Sequence, residues 1–266
     1  MASARLKDRA RRWNLVPFIR TEVDMEIRFP RADGKEVSGY LAMPRDGEKS
    51  PGVVLIHEWW GLTDHIRRLA DLLAEEGFRV LVPDLYDGEA AKIGDVEKAS
   101  ALASKLDFDD ATKQTVAGAV RHLKERGGAG TRCAILGYCM GGAIAIKAAV
   151  EVRELDAAVS FYPTNPNGVA DARLIRVPFL IHVSRVDEYT TQEQYDEFEK
   201  KLKAGGVHHE VYRYDAQHAF MNDERPDKYD AHAAKIAWDR TLRFLESTIG
   251  GHSAAGVSRP GTAPIP

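Results

Sequence analysis

Two cysteines, Cys133 and Cys139, are all that this chain of 266 residues contains. That scarcity excludes a disulfide framework and fits a reducing, cytoplasmic setting. No run of apolar residues approaches the roughly 20 needed to span a bilayer. The basic start, MASARLKDRARRWNLVPFIR, lacks the apolar stretch and small-residue cleavage site of a secretory signal. Residues 1–20 therefore read as a surface arm or helix. A formal net charge of -3, with no basic stripe interleaved with aromatics, leaves no basis for nucleic-acid binding. No internal repeat, no P-loop Lys-Ser/Thr and no zinc-ligand pair is found, so neither cofactor nor metal is expected. His57-Glu58-Trp59-Trp60-Gly61 begins like a zinc-protease helix, but its fifth residue is glycine. His208 and His209 read as strand-edge residues, and Arg67 and Arg68 as a solvated helix face.

What remains is an ordinary globular composition, 44% hydrophobic and 29% charged. A chain of this length buries roughly three quarters of its unfolded surface and needs no staple. Glu22–Phe29 and Val37–Met43 alternate around the turn Ala32-Asp33-Gly34 and predict an antiparallel hairpin. From Gly52 onward the pattern changes to unbroken apolar runs, as in strands covered on both faces. These are Gly52–His57, Phe78–Val82, Cys133–Leu136, Ala157–Phe161, Val177–Val183 and Glu210–Tyr214. Helical spacing fills the intervals at Thr63–Glu76, Asp95–Leu106, Ala111–Glu125, Met140–Val150, Gln192–Lys203 and Tyr229–Ser247. The alternation predicts one α/β domain over residues 21–249, its mostly parallel sheet flanked by helices on both faces. Residues 250–266, rich in Gly, Ala, Ser and Pro, read as a disordered tail.

Chemistry concentrates at Gly137-Tyr138-Cys139-Met140-Gly141-Gly142, between a buried strand and a helix. This matches the nucleophile elbow of α/β-hydrolases, with Cys where Ser is usual. The sharp turn demands small residues two positions either side, here Gly137 and Gly141. The following helix points its N-terminal amides at the sulfur, which favours a thiolate and later an oxyanion. Taken alone, the segment also suits an inert cysteine before a packed glycine turn, which is how Cys133 reads. Two further residues weigh against that. Asp187 and His218 each follow a predicted strand, in the order nucleophile, acid, histidine that this fold uses, at the sheet edge where ligands gather. His218 would relay the thiol proton, and Asp187 would fix its tautomer.

Several motifs in order give the chain a specific resemblance to the dienelactone hydrolase family. They are His57–Gly61, Pro83-Asp84-Leu85-Tyr86, Gly137–Gly142 and Gln217-His218-Ala219-Phe220, and the likeness runs from about Glu22 to Ile249. It implies an acid at Glu58 that holds the resting thiol by a hydrogen bond until substrate displaces it. It also implies an oxyanion hole from the backbone N–H groups of Trp59 and Met140. Trp60, Tyr86, Phe220 and Asn222 are the expected pocket residues. The well-studied members grip a substrate carboxylate with two arginines, one of them four residues after the catalytic histidine. Here that position is Asn222, and the helix Asp95–Leu106 offers only Lys98 and Lys105. The expected activity is therefore cleavage of a small-molecule ester or lactone by a monomer or homodimer. A general carboxylesterase or thioesterase, and a silent fold used for binding or redox sensing, remain open alternatives.

Overall fold

The computed structural model describes residues 25–250, apart from 45, 46 and 48. The expected N-terminal arm and C-terminal tail lie outside these residues. Eight strands form one sheet: β1 (Met25–Pro30), β2 (Glu36–Ala42), β3 (Gly52–Ile56), β4 (Arg79–Pro83), β5 (Cys133–Tyr138), β6 (Ala157–Phe161), β7 (Phe179–Val186) and β8 (His209–Gln217). Their spatial order is β1-β2-β4-β3-β5-β6-β7-β8. β1 and β2 are the expected antiparallel hairpin, β2 pairs antiparallel with β4, and the other pairs are parallel.

The unbroken apolar runs have the cause that the sequence implied. Along β3, Val54 and Ile56 enter one core while Val53 and Leu55 enter the other, all fully buried. Side chains of a strand alternate between faces, so a sheet covered twice needs apolar residues at every position. One face is covered by α1 (Asp64–Glu75) and α6 (Ala231–Thr248). The other is covered by α2 (Val96–Lys105), α3 (Ala117–Gly127), α4 (Met140–Glu151) and α5 (Gln192–Ala204).

Two differences from the sequence reading matter. The helix expected over Ala111–Glu125 opens with a π-helical stretch, Ala111–Val116, before α3. The carbonyl of Gln114 in that stretch accepts the Ala32 N–H of the hairpin turn at 2.9 Å, an outside partner that a regular helix would not take. Second, β7 and β8 run on past Val183 and Tyr214, remaining paired to Val186 and Gln217 through a bulge at Ser184/Val186. This paired extension ends with the His218 N–H donating to Val186 O at 3.1 Å.

Candidate active site

Three strands end one residue before an expected site residue: β5 before Cys139, β7 before Asp187 and β8 before His218. Cys139 has φ +54° and ψ −114°, a conformation that side chains rarely adopt. Close packing enforces it. A Cβ on Gly137 would lie 2.0 Å from the Gly141 carbonyl oxygen, and one on Gly141 would lie 2.4 Å from that of Ile56. The Cys139 N–H is held by Phe161 O at 3.0 Å, and α4 begins at the next residue.

The β7–β8 extension carries Asp187 and His218 side by side. His218 Nδ1 is 2.9 Å from Asp187 Oδ2 and 3.0 Å from Oδ1. The aspartate also accepts Ser184 Oγ at 2.5 Å, Tyr195 Oη at 3.2 Å, and the N–H groups of Tyr189 and Thr190. These donors hold the carboxylate so that Nδ1 carries a proton and Nε2 is the free nitrogen. Nε2 is buried and outside hydrogen-bonding geometry with any described group. It is nonetheless near enough to Cys139 to feel its charge. Burial alone would lower the His218 pKa, but the Cys139 thiolate and the Asp187 carboxylate outweigh it and raise the value to about 10. Burial would likewise raise that of Asp187, but His218 and Ser184 bring it below the ordinary carboxylate range. Rings of Tyr162 and Tyr189 pack on the imidazole, with centroids 5.0 and 4.6 Å away.

Glu58, expected to hold the thiol, is only 2% exposed and makes a different bond. Asn222 Nδ2 donates to its Oε2 at 2.6 Å, while Oε1 is buried without a partner. Among the described residues no hydrogen bond joins Glu58 to Cys139, so the implied thiol–carboxylate contact is not formed. The carbonyls around Glu58 are fixed by His57, to which sequence reading assigned no catalytic role, and by Tyr86, expected in the pocket. His57 Nδ1–H donates to Glu58 O at 2.6 Å, and its Nε2 accepts from Leu85 N–H at 3.3 Å. Tyr86 Oη donates to Trp59 O at 3.1 Å. Among the described residues the N–H groups of Trp59 and Met140 have no acceptor. Both residues line the same cleft as Cys139.

That cleft has a volume of about 300 Å³. Cys139, His218 and Glu58 contribute to its lining, with Trp59, Trp60, Phe108 and Tyr189 as aromatic walls and Glu188, Arg225 and Lys228 as charged groups. Of the four expected pocket residues, only Trp60 lines it. Tyr86, Phe220 and Asn222 stand behind, all buried: Tyr86 and Asn222 are engaged with Trp59 and Glu58, and Phe220 packs on Tyr162 and Tyr214. Nor are Arg67 and Arg68 simply solvated. Arg67 pairs with Glu26, and Arg68 with Asp223 and Glu224 at 2.7 and 3.0 Å. With His65, which meets Asp223 at 3.0 Å, Arg68 anchors to α1 the loop that carries Asn222 and Arg225. Cys133 is fully buried, and burial pushes its thiol up to about 12, as suits a structural cysteine. No group of His, Cys, Asp and Glu among the described residues is arranged to hold a metal.

Comparison with known proteins decides the family. The model of the dienelactone hydrolase family matches residues 37–249. The chain belongs to the dienelactone hydrolase family. A protein from Aquifex pyrophilus called protein usf is 33% identical over 226 residues, covering 82% of this chain and 96% of that protein. A carboxymethylenebutenolidase from Rhodococcus opacus is 30% identical over 252 residues, covering 86% and 95%. The crystal structure of a provisionally assigned dienelactone hydrolase from Klebsiella pneumoniae superposes with a TM-score of 0.76 at 26% identity, covering 84% and 98%. This member of the dienelactone hydrolase family is thus a hydrolase of ester or lactone type, on an α/β-hydrolase fold. Among the described residues no helix is long and apolar enough to cross a membrane.

Proposed function

We propose that the protein cleaves an ester or lactone by a Cys-His-Asp triad through a thioester acyl-enzyme. His218 Nε2 takes the proton of Cys139, and the thiolate attacks the carbonyl carbon. The oxyanion is met by the N–H groups of Trp59 and Met140, at the positive end of α4. Collapse expels the alkoxide, which takes the proton back from His218. Water then attacks the thioester with His218 as base, releasing the acid and restoring the thiol. Asp187 keeps the imidazole in the tautomer that this relay needs.

The observation that supports this most is the placement of Cys139, Asp187 and His218 at the ends of β5, β7 and β8, with Cys139 and His218 lining one cleft and Asp187 bonded to His218. A sulfur nucleophile suits activated, enol-type esters better than peptides, whose amine leaving group needs more acid assistance. Asn222 favours a general carboxylesterase over an enzyme specific for dienelactone. It is buried against Glu58, and its amide cannot replace a bidentate guanidinium. We assign the enzyme to the cytoplasm, where two free cysteines persist, acting as a monomer or homodimer.

Intact-mass spectrometry after brief exposure to p-nitrophenyl esters and dienelactone tests the proposal. An acyl adduct on Cys139, absent in Cys139→Ala, is the expected result. Cys139→Ser should lose most turnover because a hydroxyl is far harder to ionise. A serine enzyme as fast as wild type, or turnover surviving in Cys139→Ala, refutes the thiolate mechanism.

A further inference from the structure

The charged groups of the cleft are arranged unlike a carboxylate receptor. Arg225 donates from Nε and Nη2 to Asp227 at 3.0 and 2.7 Å. Lys228 Nζ is bound by Glu188 at 2.8 Å and by Gln217 Oε1 at 3.0 Å. Both cations lining the cleft are therefore already neutralised. Besides His218 Nε2, the buried side-chain atom without a partner among the described lining residues is an acceptor, Glu58 Oε1, on a residue 2% exposed that lines the cleft with Cys139. Its orientation is fixed. Asn222 is fully buried, gives Nδ2 to Glu58 Oε2, and has Oδ1 occupied by the Glu224 N–H at 3.0 Å. The carboxylate is thus held by one oxygen, while the other is buried without a partner on a residue that lines the cleft. A substrate carboxylate would meet like charge there, whereas a hydrogen-bond donor would satisfy a buried acceptor.

We infer that the preferred substrate is an uncharged ester whose acyl part carries a hydroxyl near the reacting carbonyl, and that this hydroxyl donates to Glu58 Oε1. Glu58 directly precedes Trp59, whose N–H is assigned above to the carbonyl oxygen. The unpartnered oxygen is therefore assigned to a substituent next to the carbonyl carbon. Trp59, Trp60, Phe108 and Tyr189 supply aromatic walls for the remainder of the molecule. Asn222 acts as the positioning residue. The inference rests on the reading of Cys139 as nucleophile, and its test separates the two.

Three aryl esters differing at one position serve as probes: the ester of mandelic acid (hydroxyl), of phenylacetic acid (hydrogen) and the half-ester of phenylmalonic acid (carboxylate). Each kcat/KM is divided by the hydroxide-catalysed rate constant of the same ester, so that intrinsic reactivity cancels. Wild type is expected to favour the hydroxy ester by about ten-fold or more over the unsubstituted one, and to handle the carboxylate worst. Glu58→Gln keeps an acceptor for Asn222 but turns the unpartnered oxygen into an N–H donor. Its hydroxyl preference should collapse toward unity, and the carboxylate ester should gain relative to the other two. A wild-type preference for the carboxylate, no preference for the hydroxyl, or a hydroxyl preference unchanged in Glu58→Gln overturns the inference. Should the variant fail to fold, the wild-type comparison decides alone. Loss of all turnover in Cys139→Ala alongside a failed preference leaves the nucleophile standing and removes only the substrate class. Turnover in Cys139→Ala removes the nucleophile itself.

Discussion

Replacing Asp187 with Asn tests the electrostatic core of the site. In wild type Oδ1 accepts the N–H groups of Tyr189 and Thr190, and Oδ2 accepts Ser184 Oγ and Tyr195 Oη. An asparagine keeps its oxygen toward the two backbone donors, so its amide nitrogen faces Ser184 and His218. His218 Nδ1 must then accept a hydrogen bond where it formerly donated one. The ring proton moves to Nε2, the nitrogen that receives the thiol proton in the proposed mechanism. The charge lost is also large. The rise of His218 from 6.5 to about 10 corresponds to a net of about 5 kcal/mol, supplied by Cys139 and Asp187 over the opposing effect of burial. Losing the Asp187 charge removes part of it, so the alkaline limit of the imidazolium falls.

The sign follows from the raised value. The imidazolium stabilises the fold fully below 6.5 and loses that contribution as pH rises through about 10. The lowered carboxyl of Asp187 keeps its own contribution above the ordinary carboxylate range and loses it only in acid. Wild-type kcat/KM should therefore hold a plateau through neutral pH, with an alkaline limb near 10. Asp187→Asn should lower kcat/KM by about 10⁴-fold and move that limb downward. Initial rates on an aryl ester across pH, together with the pH dependence of Cys139 alkylation, measure both. A loss smaller than about ten-fold, or an unmoved limb, contradicts the reasoning.

Gly137→Ala puts a Cβ 2.0 Å from a backbone oxygen, so the turn has to move. A cost of about 2–3 kcal/mol lowers Tm by roughly 4–12 °C, and an unchanged Tm in a calorimetric scan would contradict this. Ser184→Ala removes one of five donors on Asp187. A fall in kcat/KM of about 3–10-fold with little change in KM is expected, and Ser184→Thr should restore it if only the hydroxyl matters.

Legibility followed distance along the chain. The turn at Cys139 was readable because its constraint is local: Gly137 and Gly141 are small for a steric reason that one segment contains. Asp187 and His218 were readable from chain order, since each follows a buried apolar run. Their exact support was not, because the β7–β8 extension depends on pairing between residues such as Val186 and Gln217, and its own residues are polar enough to read as loop. The Asn222–Glu58 bond joins positions 164 apart, and nothing local marks the two as partners. Tyr86 and Phe220 were placed in the pocket because they belong to shared motifs. Both instead fill the layer beneath, Tyr86 fixing a carbonyl and Phe220 packing among rings. Arg67 and Arg68 read as solvated because their acidic partners come from β1 and from the loop after His218.

The forced backbone at Cys139 means that two inert versions of this protein would not be equivalent. Alanine keeps a β-carbon and with it the cost of a positive φ that the packing at Gly137 and Gly141 imposes. Glycine adopts that φ without the cost. A silent protein intended for endurance should therefore carry glycine, whereas alanine leaves the strain in place.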